Sequence, residues 1–201
     1  MSNLTILGGL RLYKSVNGDG QQLEQAIVLS TDSTPLGIGD AVVTVSAGAT
    51  SVSNGPVVKA VTRAATTGVI GGVVMSTIPV IEGTGAINLG SRLRPASTAQ
   101  YVLIRPAINE DVYEIQDDKS ATLTAAAIGK NANLVISNAD AATGQSKMYL
   151  NASTVATTAT FQMKIIGVVQ DATNDPTSPG CRWLVTLNNV ERSGGTGTVG
   201  V

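Results

Sequence analysis

Short β-prone runs, each closed off by Gly, Pro, Asn, Asp or Ser, recur along the whole chain, and that rhythm belongs to all-β sandwiches and barrels. The clearest are Gln25–Ser30, Asp40–Ser46, Val57–Arg63, Val69–Thr77, Tyr101–Arg105, Asp111–Gln116, Thr160–Val169 and Trp183–Asn189. Several alternate with period two. Phe161, Met163 and Ile165 share one face, against Thr160, Gln162 and Lys164 on the other. Trp183, Val185 and Leu187 alternate with Leu184, Thr186 and Asn188, and Tyr113 and Ile115 with Glu114 and Gln116. Successive side chains of a strand point to opposite faces, so these runs predict strands with one buried side. Helical signal is thin. Ala121–Ile128 fits two turns, with Ser120 as N-cap and Gly129 as the stop. Leu23–Leu29 is ambiguous, with strand favoured for its second half.

A boundary is expected near 82–96, where Glu82-Gly83-Thr84-Gly85 reads as a loop and Arg92-Leu93-Arg94-Pro95 leads into a new set of strands. The expected organisation is an N-terminal arm and small β-barrel over 1–90, a β-sandwich over 91–192, and a flexible Gly-rich tail over 193–201. Asn3–Leu12 reads as a strand or an extended arm, a plain edge strand being preferred to an arm docked on a neighbour. Gly68, Gly71 and Gly72 crowd one run, which signals a bulge or the close approach of another backbone. Only six of 201 residues are aromatic, so Val, Ile, Leu and Ala must fill the core.

Composition narrows the function. No histidine occurs, 13% of residues are charged, and the net charge is −1. Enzymes that move protons near neutral pH usually employ His, and so sparsely charged a surface favours association. The expectation is a non-enzyme whose surface is covered in an assembly, with no catalytic residues, no cofactor and no metal. Balanced charge gives no reason to expect nucleic acid. No signal peptide and no membrane span are expected.

Possible chemistry is weak everywhere. Cys181 reads as a small core or edge residue, since no His is present to activate it. Glu110-Asp111 and Asp117-Asp118 read as solvated turns rather than a cation site. Asn17-Gly18-Asp19-Gly20 lacks the later glutamate of a calcium loop and reads as a turn. Gly68–Gly72 is followed by neither Lys-Ser/Thr nor a helix, so it is no phosphate cradle. Arg92, Arg94 and Arg105 read as isolated surface pairs, with a salt-bridge set to Glu110, Asp111 or a partner as the alternative.

Several segments taken in order resemble a known family. Arg94-Pro95-Ala96-Ser97-Thr98-Ala99-Gln100-Tyr101-Val102-Leu103 leads to Asp111-Val112-Tyr113-Glu114-Ile115-Gln116-Asp117-Asp118, then Ile128-Gly129-Lys130-Asn131-Ala132-Asn133-Leu134-Val135. Thr143-Gly144-Gln145-Ser146 precedes 156–169, and Asn174 precedes 183–189. This order resembles the capsid cement, or decoration, proteins of tailed-bacteriophage heads, most strongly over 92–192. It is weaker over 36–80, where Gly39–Val43 and Ile70–Val74 look like small β-barrel modules of such proteins. The chain departs from the family at Arg105-Pro106-Ala107-Ile108-Asn109-Glu110-Asp111, where an Asp-Asp-Pro type turn is expected.

The resemblance implies an all-β fold of two small barrel or sandwich domains, jelly-roll or β-tulip-like, with an extended arm and at most one short helix. It implies a virion structural protein on the outer capsid surface, assembled in the bacterial cytoplasm. Its partners would be the major capsid protein and further copies of itself, a trimer being favoured over a dimer, with no nucleic acid and no membrane. Leu4, Ile6, Leu7, Arg92, Arg94 and the Gly-rich tail are the expected contacts. The alternative is a head fibre or a receptor- or carbohydrate-binding β module. Sugar sites use exposed aromatics, for which Trp183 and Tyr149 are the candidates in the second half, although Trp183 sits in a core-like alternation.

Overall fold

The alternating runs become strands. The computed structural model describes residues 3–6, 8–15, 22–45, 50–51, 57–81, 92–195 and 197–201. The strands are β1 (Arg11–Lys14), β2 (Glu24–Val28), β3 (Ala41–Thr44), β4 (Thr50–Ser51), β5 (Val57–Arg63), β6 (Gly72–Ile81), β7 (Gln100–Pro106), β8 (Val112–Gln116), β9 (Asn131–Ala132), β10 (Leu134–Val135), β11 (Tyr149–Leu150), β12 (Met163–Val168) and β13 (Arg182–Leu187). The fold is all-β, and the helical residues described form three single 3₁₀ turns, Ala125–Ala127, Ala152–Thr154 and Glu191–Ser193. No helix among the described residues is long and apolar enough to cross a membrane.

One sheet closes on itself. Its order is β2-β7-β6-β3-β5-β4, and a parallel pairing of β2 with β5 closes β2, β7, β6, β3 and β5 into a ring, with the two-residue β4 appended to β5. Closure removes the exposed edges that an open sheet would leave. Ala26, Val28, Val42, Val61, Val74, Val102 and Ile104 form one buried cluster with Leu36. Register explains the grouping: Ala26 faces Val102 and Val74 faces Ile104 across neighbouring strands. Small β-branched side chains suit the narrow interior of such a ring. Gly72 lies where β6 meets β7, and a Cβ there would come 2.7 Å from the Arg105 carbonyl oxygen. The glycine-rich run therefore marks close backbone approach.

The second sheet is antiparallel, in the order β1-β8-β13-β12-β9. Its buried face is a cross-strand ladder in which Val185 faces both Tyr113 and Ile165, Trp183 faces Ile115, and Leu187 faces Met163. All seven are buried, together with Leu134, Met148 and Leu150. Ile166 follows buried Ile165 and is 41% exposed on the other face, and a register shift lies between Ile165 and Gly167. Gln162, expected on the solvent face, is instead fully buried. Its Nε2 donates to the Ala65 and Gly68 carbonyls and its Oε1 accepts from Leu134 N–H.

The division expected at residue 90 does not separate the sheets. β7 lies beyond it and pairs with β2 and β6 in the barrel, while β1 lies before it and pairs with β8. Ala41, Val73 and Ala107 of the barrel wall share one core with the second sheet. Residues 36–41 make the join: Ile38 N–H donates to the Gly144 carbonyl, Ser146 N–H to Ile38, and Leu10 N–H to Gly39. Gly39 has φ +92°, and any Cβ there would collide with the Gly8 carbonyl.

Two expectations about loops and ends are corrected. The Ala-rich run makes one 3₁₀ turn capped by Thr124, because Asp118 Oδ1 already takes the Ser120 N–H and hydroxyl. The Gly-rich tail is held: Val201 N–H donates to Gly129, Gly200 N–H to Thr157, and Thr198 N–H to Asn188 Oδ1. Of Asn3–Leu12, the end enters the edge strand β1, the preferred reading, while Asn3–Ile6 is bonded to the second sheet and its loops. The Asn17–Gly20 turn, the Glu82–Gly85 loop and Leu7 fall outside the described residues.

The faces assigned to the second sheet are testable. Leu187→Ala should cost about 2–5 kcal/mol, whereas Ile166→Ala should change stability by under about 0.5 kcal/mol. Urea denaturation of both variants reads the contrast.

Candidate functional site

Several charged side chains inside this protein are held by dense hydrogen bonding. Asp117, read from sequence as a solvated turn, is 1% exposed at the end of β8. Its Oδ1 accepts the N–H groups of Gly180 (2.6 Å) and Lys119 (3.0 Å), and its Oδ2 accepts Cys181 N–H (3.0 Å) and Trp183 Nε1–H (3.1 Å). Four donors satisfy a buried carboxylate that would otherwise be costly. Asp111 is corrected likewise: it is buried and takes Nε and an Nη of Arg105 at 2.8 and 3.1 Å. This forked bond holds the Arg105 guanidinium above its ordinary pKa. Of the two alternatives for Arg105, a salt bridge to Asp111 is the one observed.

Buried carboxamides do similar work in the loops. Gln116 accepts Ile6 N–H and donates to the Leu4 and Gly180 carbonyls. Asn3 Nδ2 donates to the Asp175 and Ser178 carbonyls while its Oδ1 accepts Asp175 N–H. Asn174 bridges Val169 and Arg182, and Asn188 bridges Ala159 and Phe161. Such side chains replace the backbone partners that irregular segments lack.

The expected contact residues fare unequally. Leu4 is 78% exposed, Ile6 is half-buried, and Arg92 is exposed. Arg94 is corrected outright. It is fully buried, donating to the carbonyls of Thr98, Thr34 and Leu29, so a partner cannot reach it. Burial lowers its pKa, partly countered by Asp32. Trp183 is fully buried, which removes it as a sugar platform, while Tyr149 is half-buried beside a surface cleft. Burial also pushes the Cys181 thiol up to about 11, leaving it a core residue with little thiolate at neutral pH. Among the described residues, no group of three or more His, Cys, Asp or Glu could hold a metal.

The Gly-rich tail was an expected contact, but the exposed apolar residues of the second sheet near it were not foreseen. Ile128, Ile166, Val199 and Val201 are 43%, 41%, 62% and 84% exposed. The chain end lies beside Ile128 and the Ile165-Ile166 pair, since Val201 N–H donates to the Gly129 carbonyl and Gly129 N–H to the Ile165 carbonyl. Scattered exposed apolar residues are ordinary, and neighbouring ones are candidates for a contact surface. The doublet Ile165-Ile166 held the signal, since one of two adjacent residues in a strand must face outward. No family model, curated protein or solved structure matches this chain.

At the join between barrel and second sheet, Asp40 is buried with Oδ2 2.8 Å from Gly37 N–H. Burial pushes its carboxyl up to about 6, against opposing effects of the Gly37 N–H, the Ser146 hydroxyl and the Arg63 charge. The folded state therefore holds this proton more tightly than the unfolded chain. Asp40 adds stability below about pH 4 and loses it as the pH rises through about 6. Asp40→Asn should remove this dependence. The stability difference between variant and parent should grow by at most about 3 kcal/mol in the variant's favour from pH 4 to 7.5, read from urea midpoints across that range.

Proposed function

We propose that this protein is a non-enzymatic structural component of a tailed-bacteriophage virion, a cement protein bound to the outside of the icosahedral head. The observation that carries the reading is the contrast between its interior and its surface. Inside, carboxylates, guanidiniums and carboxamides are paired, fixing loops and both described ends onto a β body. Outside, a group of aliphatic side chains stands in water where the tail meets the second sheet. A protein that clamps shell subunits needs a stiff body and a sparsely charged underside, and it needs no proton-transfer group. The ordered resemblance of 92–192 to head decoration proteins supports the same role.

In this reading the major capsid protein covers Ile128, Ile166, Val199 and Val201, with Leu4 and Arg92 as further contacts. Copies associate as a trimer at threefold positions of the shell. Each contact of about 800 Å² per partner would make a standard specific interface, and many copies per head add avidity.

The test uses expanded, DNA-free heads of tailed phages. The protein should co-sediment with heads of its cognate phage and raise the temperature at which they rupture. Paired Ile166→Asp and Val199→Asp substitutions should weaken co-sedimentation at least about tenfold, or 1.4 kcal/mol, with little change in the protein's own unfolding temperature. Absence of binding to cognate heads overturns the proposal. Sedimentation equilibrium of the free protein distinguishes trimer from dimer.

A further inference from the structure

The arm and the turn after β8 enclose a surface cleft of about 240 Å³, lined by Thr5, Asp117, Asp118, Lys119 and Tyr149. Asp117 is spent on internal bonds, while Asp118, Lys119 and Thr5 are only partly engaged. Asp118 Oδ1 accepts from Ser120 and from Ala152 N–H, while none of the described groups donates to its Oδ2. Lys119 Nζ donates to Thr5 Oγ1 at 2.8 Å and lies 3.5 Å from the Asn3 carbonyl, which leaves donor capacity toward the cleft. Tyr149 is half-buried on the short strand β11 and offers an aromatic ring at the cleft wall.

The backbone is also held in an unusual form here. Lys119 has φ +62°, a conformation that non-glycine residues seldom adopt. Its N–H is fixed by Asp117 and its ammonium by Thr5, so the strained residue is pinned at both ends. Strain persists only where surrounding contacts enforce it, and it gathers at binding sites.

We propose that this cleft binds a neutral, hydroxyl-rich ring: one monosaccharide unit of a surface glycan. This goes beyond the cement role and does not depend on it. Asp117 also lines the cleft, but four N–H donors take up its carboxylate, so the groups left open to a ligand are Asp118 and Lys119, of opposite sign. Together they present an acceptor and a donor side by side, the pattern that a pair of adjacent hydroxyls satisfies through charge-assisted hydrogen bonds. The apolar C–H face of a pyranose packs on the Tyr149 ring. The volume is below the roughly 300–1,000 Å³ of drug-sized pockets and suits a single ring.

The test is an amide NMR titration of the full chain with four probes: methyl α-D-glucopyranoside, methyl α-D-mannopyranoside, methyl β-D-galactopyranoside and N-acetyl-D-glucosamine. At least one should shift the amides of Thr5, Asp118–Ser120 and Tyr149, with Kd of about 1–10 mM. Tyr149→Ala and Asp118→Asn should each weaken that binding at least about tenfold. Tyr149→Phe should keep it, because the ring face remains. The Trp183 indole N–H resonance reports that each variant is folded, and Asp118→Asn decides if Tyr149→Ala is not. The proposal is overturned if none of the four sugars moves the cleft amides. It is also overturned if the shifts survive in the folded variants, or if methylguanidinium or sulfate binds the cleft more tightly than any sugar.

Discussion

Two adjacent side chains at the end of β8 hold much of this protein together. Asp117 gathers the first residues of the β13 segment, the Trp183 indole and the turn at Lys119 around one carboxylate. Gln116 gathers the arm and Gly180 around one carboxamide. A buried charge with several N–H donors is stable only if every donor stays in place. The arrangement therefore couples segments that are far apart in sequence. The arm has few apolar anchors, and its position follows from Gln116, Asn3 and Lys119.

The same economy runs through the molecule. Asn and Gln share the fixing of loops with Asp, and they satisfy backbone groups without the desolvation cost of a charge. Three of the charged groups that go inside are compensated: Arg94 by carbonyls, Arg105 by Asp111, Asp117 by N–H groups, whereas burial raises the pKa of Asp40.

Strands were legible because alternation is a local property. Each of the eight alternating or β-branched runs carries a strand, and Val57–Arg63 coincides with β5. The two-residue strands β4, β9, β10 and β11 are too short to show any period. Barrel closure rests on β2 meeting β5, a pairing that no local pattern announces. Site residues were harder to read. Asp111, Asp117 and Arg94 were assigned to the surface because charged residues mostly lie there; only the fold reveals partners for them. Tail glycines suggested freedom, yet they permit close backbone packing against Thr157 and Gly129. The apolar group at the tail joins residues about 70 positions apart, so it exists only in three dimensions.

The exchange of strands between the sheets has a consequence for biosynthesis. β1 finds its partner β8 about a hundred residues later, and β2 needs β7 to fill its place in the ring. Neither sheet can be completed on the ribosome from its early strands alone. Distant pairings of this kind slow folding, because loop-closure entropy must be met before the contacts form. Until β7 and β8 emerge, the nascent chain carries unpaired apolar edges, a state in which crowded sister chains can join wrongly. A protein needed in many copies at once would then depend on chaperones, or on spacing between ribosomes, for its yield.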